Sequence, residues 1–212
     1  MLLYYITDRT QFAGSEDFRC RALLNKIGEA AACGVDFIQL REKDLSARAL
    51  ESLSAAALRL IAAKSSRTRL LINSRTDIAI ACGADGVHLR SDDISASDVR
   101  KAWSGGAGGL AHGKPVICVS CHTAAEVCRA TAEGADFAVF APVFEKKNNP
   151  DVAAAGLTVL REACRANIRV LALGGITLQN ARSCIEAGAA GIAAIRLFQE
   201  HDITTVARLL KT

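Results

Sequence analysis

A chain of 212 residues that is 50% hydrophobic can bury a substantial core, and fits one large domain or two small ones. Its 26 basic and 22 acidic residues are interspersed and leave a net charge of +4; with 5% aromatics, no basic tail and no arginine-rich helix, nothing points to nucleic acid. No apolar run approaches a membrane span and "MLLYYITDRT" reaches Asp8 too soon for a signal peptide, so a cytoplasmic protein without a membrane partner is expected.

Short apolar runs alternate with longer segments of helical spacing. The first run, "LLYYITD" (2–8), reads as a strand, and "TDRTQF" after it carries no glycine-rich phosphate turn. "RALLNKIGEAAACG" (21–34) and "SARALESLSAAALRLIAAK" (46–64) have the apolar spacing of amphipathic helices and flank a second strand, "DFIQLRE" (36–42). Further strands are expected at "RLLINSR" (69–75), "GVHLRS" (86–91), "PVICVSCH" (115–122), "FAVFAPVF" (137–144), "IRVLALGGI" (168–176) and "GIAAIRLF" (191–198). The glycine-rich "WSGGAGGLAHGKP" (103–115) reads as a flexible connection entering the fifth strand.

A short motif recurs before strands: "CGVD" (33–36), "CGAD" (82–85), "EGAD" (133–136) and "AGAAG" (187–191). A left-handed glycine ends a helix there and the chain turns into the next strand, which implies a repeated strand–helix unit. Strands apolar on both faces and joined by helices belong in a parallel sheet. About eight units in a chain of this length predict a single-domain (β/α)₈ TIM barrel over residues 1–212. An open doubly wound sheet is the alternative, and it expects the phosphate turn that the first strand lacks.

The eight cysteines read as free thiols; on a strand Cys118 and Cys121 of "CVSCH" face opposite sides and do not make a metal pair with His122. In a TIM barrel, reactive groups come from the C-terminal ends of strands. That rule collects Gln39, Arg41 and Lys43 from strand two, Asn73 and Arg75 from strand three, and His88, Asp92 and Asp93 from strand four. Ser120 and His122 follow on strand five, "APVFEKKN" on six, Gly174 and Gly175 on seven, and Arg196 on eight.

His88 has the position of a satisfied interior histidine, Asp92 that of a helix N-cap, and Arg75 that of a surface partner for Asp77. Gln39, Arg41 and Lys43 are two residues apart and point one way, and unpaired buried cations are costly, so they require an anion. "LGGITLQN" offers two glycines, then Thr177 as the N-cap of a helix whose amides, with Arg196, would hold a phosphate.

In order along the chain, "YYITD", "QLREK", "LLINSR", "GADGVHL", "SDD", "VSCHT", "GADFAVFAPVF", "LALGGIT" and "AGAAGIA" resemble the thiamine phosphate synthase/TenI family. The resemblance implies a magnesium-dependent transferase that joins a hydroxymethylpyrimidine pyrophosphate to a thiazole phosphate and releases pyrophosphate. It implies that Gln39, Arg41, Lys43 and Asn73 receive the pyrimidine pyrophosphate, that Ser120 contacts pyrophosphate, and that Asp93 holds Mg²⁺. Gly175 would lie at the thiazole phosphate, where the residue pattern itself adds Gly174 and Arg196 as candidate binders, and Lys146 or Lys147 could supply a loop cation. Arg41, Lys43 and His122 would then carry the chemistry.

Four departures accompany it. Ser74 stands where synthases carry a second metal aspartate, "EKKNNPD" replaces a Thr-x-Thr-Lys-like loop, Arg90 and Ser91 replace a glycine and a glutamine, and Arg196 replaces a serine. TenI-like members isomerise a thiazole carboxylate phosphate and also lack the metal aspartate, and His122 would be their proton shuttle. The alternatives are therefore an isomerase and a barrel that binds thiamine precursors without turnover. The sequence leaves a homo-oligomer open.

Overall fold

The computed structural model describes residues 1–65, 67–105, 113–145 and 153–211. Eight parallel strands close into a barrel in sequence order: β1 (Leu2–Ile6), β2 (Phe37–Leu40), β3 (Arg69–Asn73), β4 (Gly86–Leu89), β5 (Val116–Cys121), β6 (Phe137–Phe140), β7 (Arg169–Ala172) and β8 (Gly191–Ala194). The ring closes where Tyr4 of β1 lies beside Ala193 of β8 on one side and Phe37 of β2 on the other. The helices between them are α1 (Glu16–Ala32), α2 (Ala47–Lys64), α3 (Thr76–Cys82), α4 (Ala96–Gly105), α5 (Ala124–Ala132), α6 (Gly156–Ala163) and α7 (Ala181–Glu186), followed by α8 (Arg196–Gln199) and α9 (Ile203–Lys211). The expected TIM barrel is thus the fold.

All eight expected strands form, but the ladders of most stop short of their predicted C-terminal ends. Side-chain alternation is a property of extended backbone and continues after pairing ends, so the pattern alone overestimates strand length. The correction matters at residue 196, expected on strand eight. Arg196 is instead the first residue of α8. Asp92 is also corrected: it pairs with Arg90 in the loop, while the Ser95 hydroxyl accepts the Asp98 amide at 3.1 Å at the start of α4.

The recurring glycines end their helices as expected, with φ of 73°, 71°, 82° and 104° at Gly34, Gly83, Gly134 and Gly188. After three of them comes an aspartate whose Oδ2 accepts the first buried amide of the preceding strand: Asp36 from Leu3 at 2.9 Å, and Asp85 from Leu70 and Asp136 from Ile117 at 2.8 Å. Lys211, Arg69 and Arg100 pair with these aspartates at 3.2, 2.8 and 2.9 Å, so the base of the barrel is charge-balanced.

Two apolar layers follow from the alternation. Leu3, Tyr5, Ile38, Leu70, Val87 and Ile117 face outward under the helices. Tyr4, Phe37, Leu71, Cys118, Phe137 and Leu171 fill the lumen, where the rings of Phe37 and Phe137 meet at 4.7 Å. Cys118 and Cys121 do lie on opposite sides of their strand, and all eight cysteines are free. Among the described residues, no helix is long and apolar enough to cross a membrane.

Candidate active site

Above the aromatic plug the lumen opens into a cavity of about 630 Å³ at the C-terminal ends of the strands. Gln39, Asn73, His88 and Ser120 reach it from β2 to β5, and Arg41, Lys43, Arg90 and His122 reach it from just beyond the ladders. Of the residues collected from strands two to five, the structure brings Gln39, Arg41, Lys43, Asn73, His88, Asp92, Ser120 and His122 to this cavity, and Arg75 and Asp93 do not line it.

The amides form a chain. Gln39 Nε2 donates to Asn73 Oδ1 at 2.9 Å, and Asn73 Nδ2 donates to Ser74 Oγ at 3.3 Å. The Ser74 hydroxyl donates to Asp93 Oδ2 at 2.7 Å, an oxygen that also accepts the Arg90 amide at 2.7 Å. With its amine engaged, Gln39 keeps a carbonyl oxygen as an acceptor for a ligand N–H.

His88 is buried and stacks on Tyr4, with the Tyr4 hydroxyl 2.8 Å from Nδ1 and Ser120 Oγ 2.7 Å from Nε2. Burial, aided by the charge of Arg41, pushes His88 down to about 3, so the ring is neutral. Burial also keeps Tyr4 protonated, and Nδ1 is its only hydrogen-bond partner among the described residues. The tyrosine must therefore donate to Nδ1, which leaves Nε2–H to donate to Ser120. The Ser120 hydroxyl keeps its own proton for a ligand, so His88, satisfied as expected, also orients a donor.

Arg41 and Lys43 face the same cavity, and among the described residues neither forms an ion pair. Arg41 is the main reason that Lys43 is held below its ordinary value; desolvation and Arg90 add to it. Two like charges held side by side give this part of the mouth a positive potential.

His122 Nδ1 lies 2.7 Å from the carbonyl oxygen of Ala141. A carbonyl only accepts, so Nδ1 carries the proton and Nε2 is the nitrogen left for a ligand. The His122 amide is tied to the Glu126 carboxylate, which fixes this turn.

The donor set bears on magnesium. Among the described residues no cluster of three or more metal-ligating side chains exists. Both hydrogen bonds to Asp93 land on Oδ2, which leaves Oδ1 for a cation, with the Ser74 hydroxyl oxygen beside it. Asp93 lines an adjoining cavity of about 250 Å³ that shares Arg90, Ser91 and Ser120 with the mouth, and one such carboxylate fits only a magnesium ion carried largely by phosphate oxygens and water.

Gly174 and Gly175 have φ of 99° and 64°, and a Cβ on them would sit 2.7 Å from Pro142 Cα and 2.5 Å from the Glu145 carbonyl oxygen. Only glycine permits this approach of loop seven to loop six. Gly175 and Arg196 line a neighbouring cavity of about 330 Å³. The helix expected to start at Thr177 begins instead at Ala181, and the Thr177 amide is already held by Asn180 Oδ1 at 2.8 Å. The cavity is therefore walled by Gly175, by the turn Thr177–Gln179 ahead of α7 and by Arg196 at the start of α8. Arg75 is outside the mouth, paired with Asp77 at 2.6 Å as expected. Lys146 and Lys147 lie outside the described residues.

Sequence reading passed over Tyr4, and it met Arg90 only as a departure from the family pattern. The signal for Tyr4 was its inward position on β1; for Arg90 it was the continued alternation after His88.

The family model described as thiamine monophosphate synthase matches residues 3–198. A Geobacter sulfurreducens protein provisionally named as a thiamine-phosphate synthase is 42% identical over 198 residues, covering 91% of this chain and 84% of that one. The thiamine-phosphate synthase of Methanoculleus marisnigri is 37% identical over 212 residues, covering 99% and 93%. Among solved structures, thiamine phosphate pyrophosphorylase from Pyrococcus furiosus superposes with a TM-score of 0.80 at 26% identity, covering 99% of this chain and 93% of that one.

Proposed function

The chain belongs to the thiamine monophosphate synthase family, and on that premise we propose that it couples a hydroxymethylpyrimidine pyrophosphate to a thiazole phosphate. The observation that carries this reading is the pair Arg41 and Lys43, converging on the mouth without an ion-pair partner among the described residues. Such a pair suits the pyrophosphate of the first substrate, with the Ser120 hydroxyl as a further donor. The Gln39 carbonyl would take an N–H of the pyrimidine, and Asn73 would fix that amide. Gly174, Gly175 and Arg196 would hold the thiazole phosphate at the far side.

In the step itself the bond between the pyrimidine's exocyclic carbon and pyrophosphate breaks, and its electron pair leaves with pyrophosphate. The thiazole nitrogen then gives its lone pair to that carbon. Charge builds on the departing oxygens and on the pyrimidine carbon, so catalysis is largely the placing of Arg41, Lys43 and the neutral Ser120 donor beforehand. Magnesium, held by Asp93 with Ser74 beside it, would supply further positive charge to the pyrophosphate. Lys146 remains part of this reading as the loop cation. The ionic substrates support a cytoplasmic location.

One observation favours a second reading. His122, with Nδ1 tied to the Ala141 carbonyl, leaves Nε2 for a ligand in the mouth, which suits proton movement in isomerisation of a thiazole carboxylate phosphate, and Ser74 removes a carboxylate that coupling would use. Incubating the protein with both phosphorylated substrates and magnesium separates the readings. Pyrophosphate release matching consumption of thiazole phosphate is expected. Isomerisation lost in His122→Ala, without any release, would replace the transferase by the isomerase. Tight binding without either reaction would leave a precursor-binding barrel.

A further inference from the structure

The hydrogen-bonded ladder of β2 stops at Leu40, yet Arg41 and Lys43 still face the mouth. Beyond a ladder, no neighbouring strand enforces alternation. Here the enforcement comes from the opposite side of the same segment. Glu42 and Asp44, the residues interleaved with the two cations, are both gripped by Arg9, in the short 3₁₀ turn Arg9–Gln11 after β1.

Arg9 is 3% exposed and Glu42 is 5% exposed. The guanidinium forks onto Asp44, with Nη1 2.6 Å from Oδ1 and Nη2 2.8 Å from Oδ2, and Nη1 also donates to Glu42 Oε2 at 3.1 Å. Nε donates to Glu16 Oε1 at 2.5 Å, which anchors the arginine to the start of α1. The Arg9 amide gives Glu42 Oε2 a second bond at 3.0 Å, and the Thr7 hydroxyl donates to Oε1 at 2.5 Å. Thr7 Oγ1 in turn accepts the Arg41 amide at 3.0 Å, so the chain of contacts returns to the cation.

We propose that Arg9 is a positioning residue of the pyrophosphate site: through Glu42, Asp44 and Thr7 it fixes the backbone of residues 41–44, which enters a turn after Glu42, so that Arg41 and Lys43 converge before ligand arrives. The inference rests on the reading that these two cations take pyrophosphate. Its physical basis is repulsion. Arg41 and Lys43 disfavour each other's charge, and without a fixed backbone the segment can relieve that by turning one side chain away. Ligand would then have to restore the arrangement, and affinity falls by the cost of ordering. Lysine cannot reproduce the grip, because only a planar guanidinium offers a fork to one carboxylate and further donors to others.

The test is calorimetric titration of inorganic pyrophosphate with magnesium, and separately of thiazole phosphate, into the wild type, Arg9→Lys and Asp44→Asn. Asp44 has a side chain 61% exposed, so Asp44→Asn weakens the fork without emptying a buried site. Arg9→Lys is expected to weaken pyrophosphate binding about tenfold, as for loss of a charge-assisted forked contact, and Asp44→Asn about threefold. Thiazole phosphate binding should stay within about twofold of wild type, because its site lies on loops seven and eight. Asp44→Asn that melts with the wild type and binds pyrophosphate equally well would overturn the proposal. So would equal weakening of both ligands, which marks a general structural role. A wild type that binds no pyrophosphate would instead overturn the pyrophosphate reading, and this inference with it.

Discussion

The two ends of the barrel treat charge in opposite ways. At the base, Asp36, Asp85 and Asp136 each accept a backbone amide and each pair with a cation. At the mouth, Arg41 and Lys43 have no ion-pair partner among the described residues, while the carboxylates interleaved with them turn away to Arg9. Both ends use the same residue types on the same repeated unit. The difference is that the three aspartates at the base are each paired with a cation, whereas Arg41 and Lys43 at the mouth find no ion-pair partner among the described residues. Stability belongs to the first arrangement and function to the second.

The largest expected effect comes from removing charge at the mouth. Arg41→Met should lower the rate of pyrophosphate release about 10²–10³-fold, the range for one oriented charge donor. Its melting temperature should hold or rise, because a like-charge repulsion is gone. An unchanged rate in steady-state assays would erase the contrast between the ends.

A second effect is pH-dependent and concerns the plug beneath the mouth. His88 titrates near 6.5 unfolded but only at about 3 when folded. Between those values the unfolded chain binds a proton that the native ring refuses, so stability falls as pH falls, by about 1.4 kcal/mol per unit. Denaturant melts at pH 7, 5.5 and 4.5 should show that slope, and His88→Gln should lack its share. A variant with the wild-type acid slope would mean that the ring protonates in place.

At the base, Asp136→Ala strips a partner from the Ile117 amide and from Arg100. A loss of about 1–3 kcal/mol is expected for a buried donor left unsatisfied, read as a lower melting temperature, with activity per folded molecule retained. Loss of activity at full stability would contradict the division between the two ends. The smallest effect is expected from Ser74→Asp. Ser74 has φ of 59°, a conformation aspartate tolerates, and the new carboxylate would stand beside Asp93. Coupling at low magnesium should rise a few-fold; an unchanged magnesium dependence would show that Asp93 with substrate phosphates suffices.

The barrel was legible because its repeat is local. The helix-stop glycines and the apolar runs carry the strand–helix unit in each short window, and all eight strands formed where those windows placed them. Gln39, Asn73, His88 and Ser120 followed from the rule that reactive groups lie at the C-terminal ends of barrel strands. What stayed hidden depends on residues distant in sequence. Nothing near Arg9 announces a bond to Glu42 across 33 positions, and "TDRTQF" was informative only for the glycines it lacks. Arg196 was misplaced because "GIAAIRLF" is as apolar in a strand followed by a short helix as in one long strand. Thr177 looked like a cap, but its turn closes on Asn180 before any helix begins.

The most direct test measures pyrophosphate release and melting temperature on the same preparations of wild type and Arg41→Met, with both phosphorylated substrates and magnesium present. The expected result is stoichiometric release by the wild type, and release lost in the variant at an unchanged or higher melting temperature. Release that survives in Arg41→Met, or that is lost only because the variant no longer folds, would contradict the assignment of the mouth's cations to pyrophosphate.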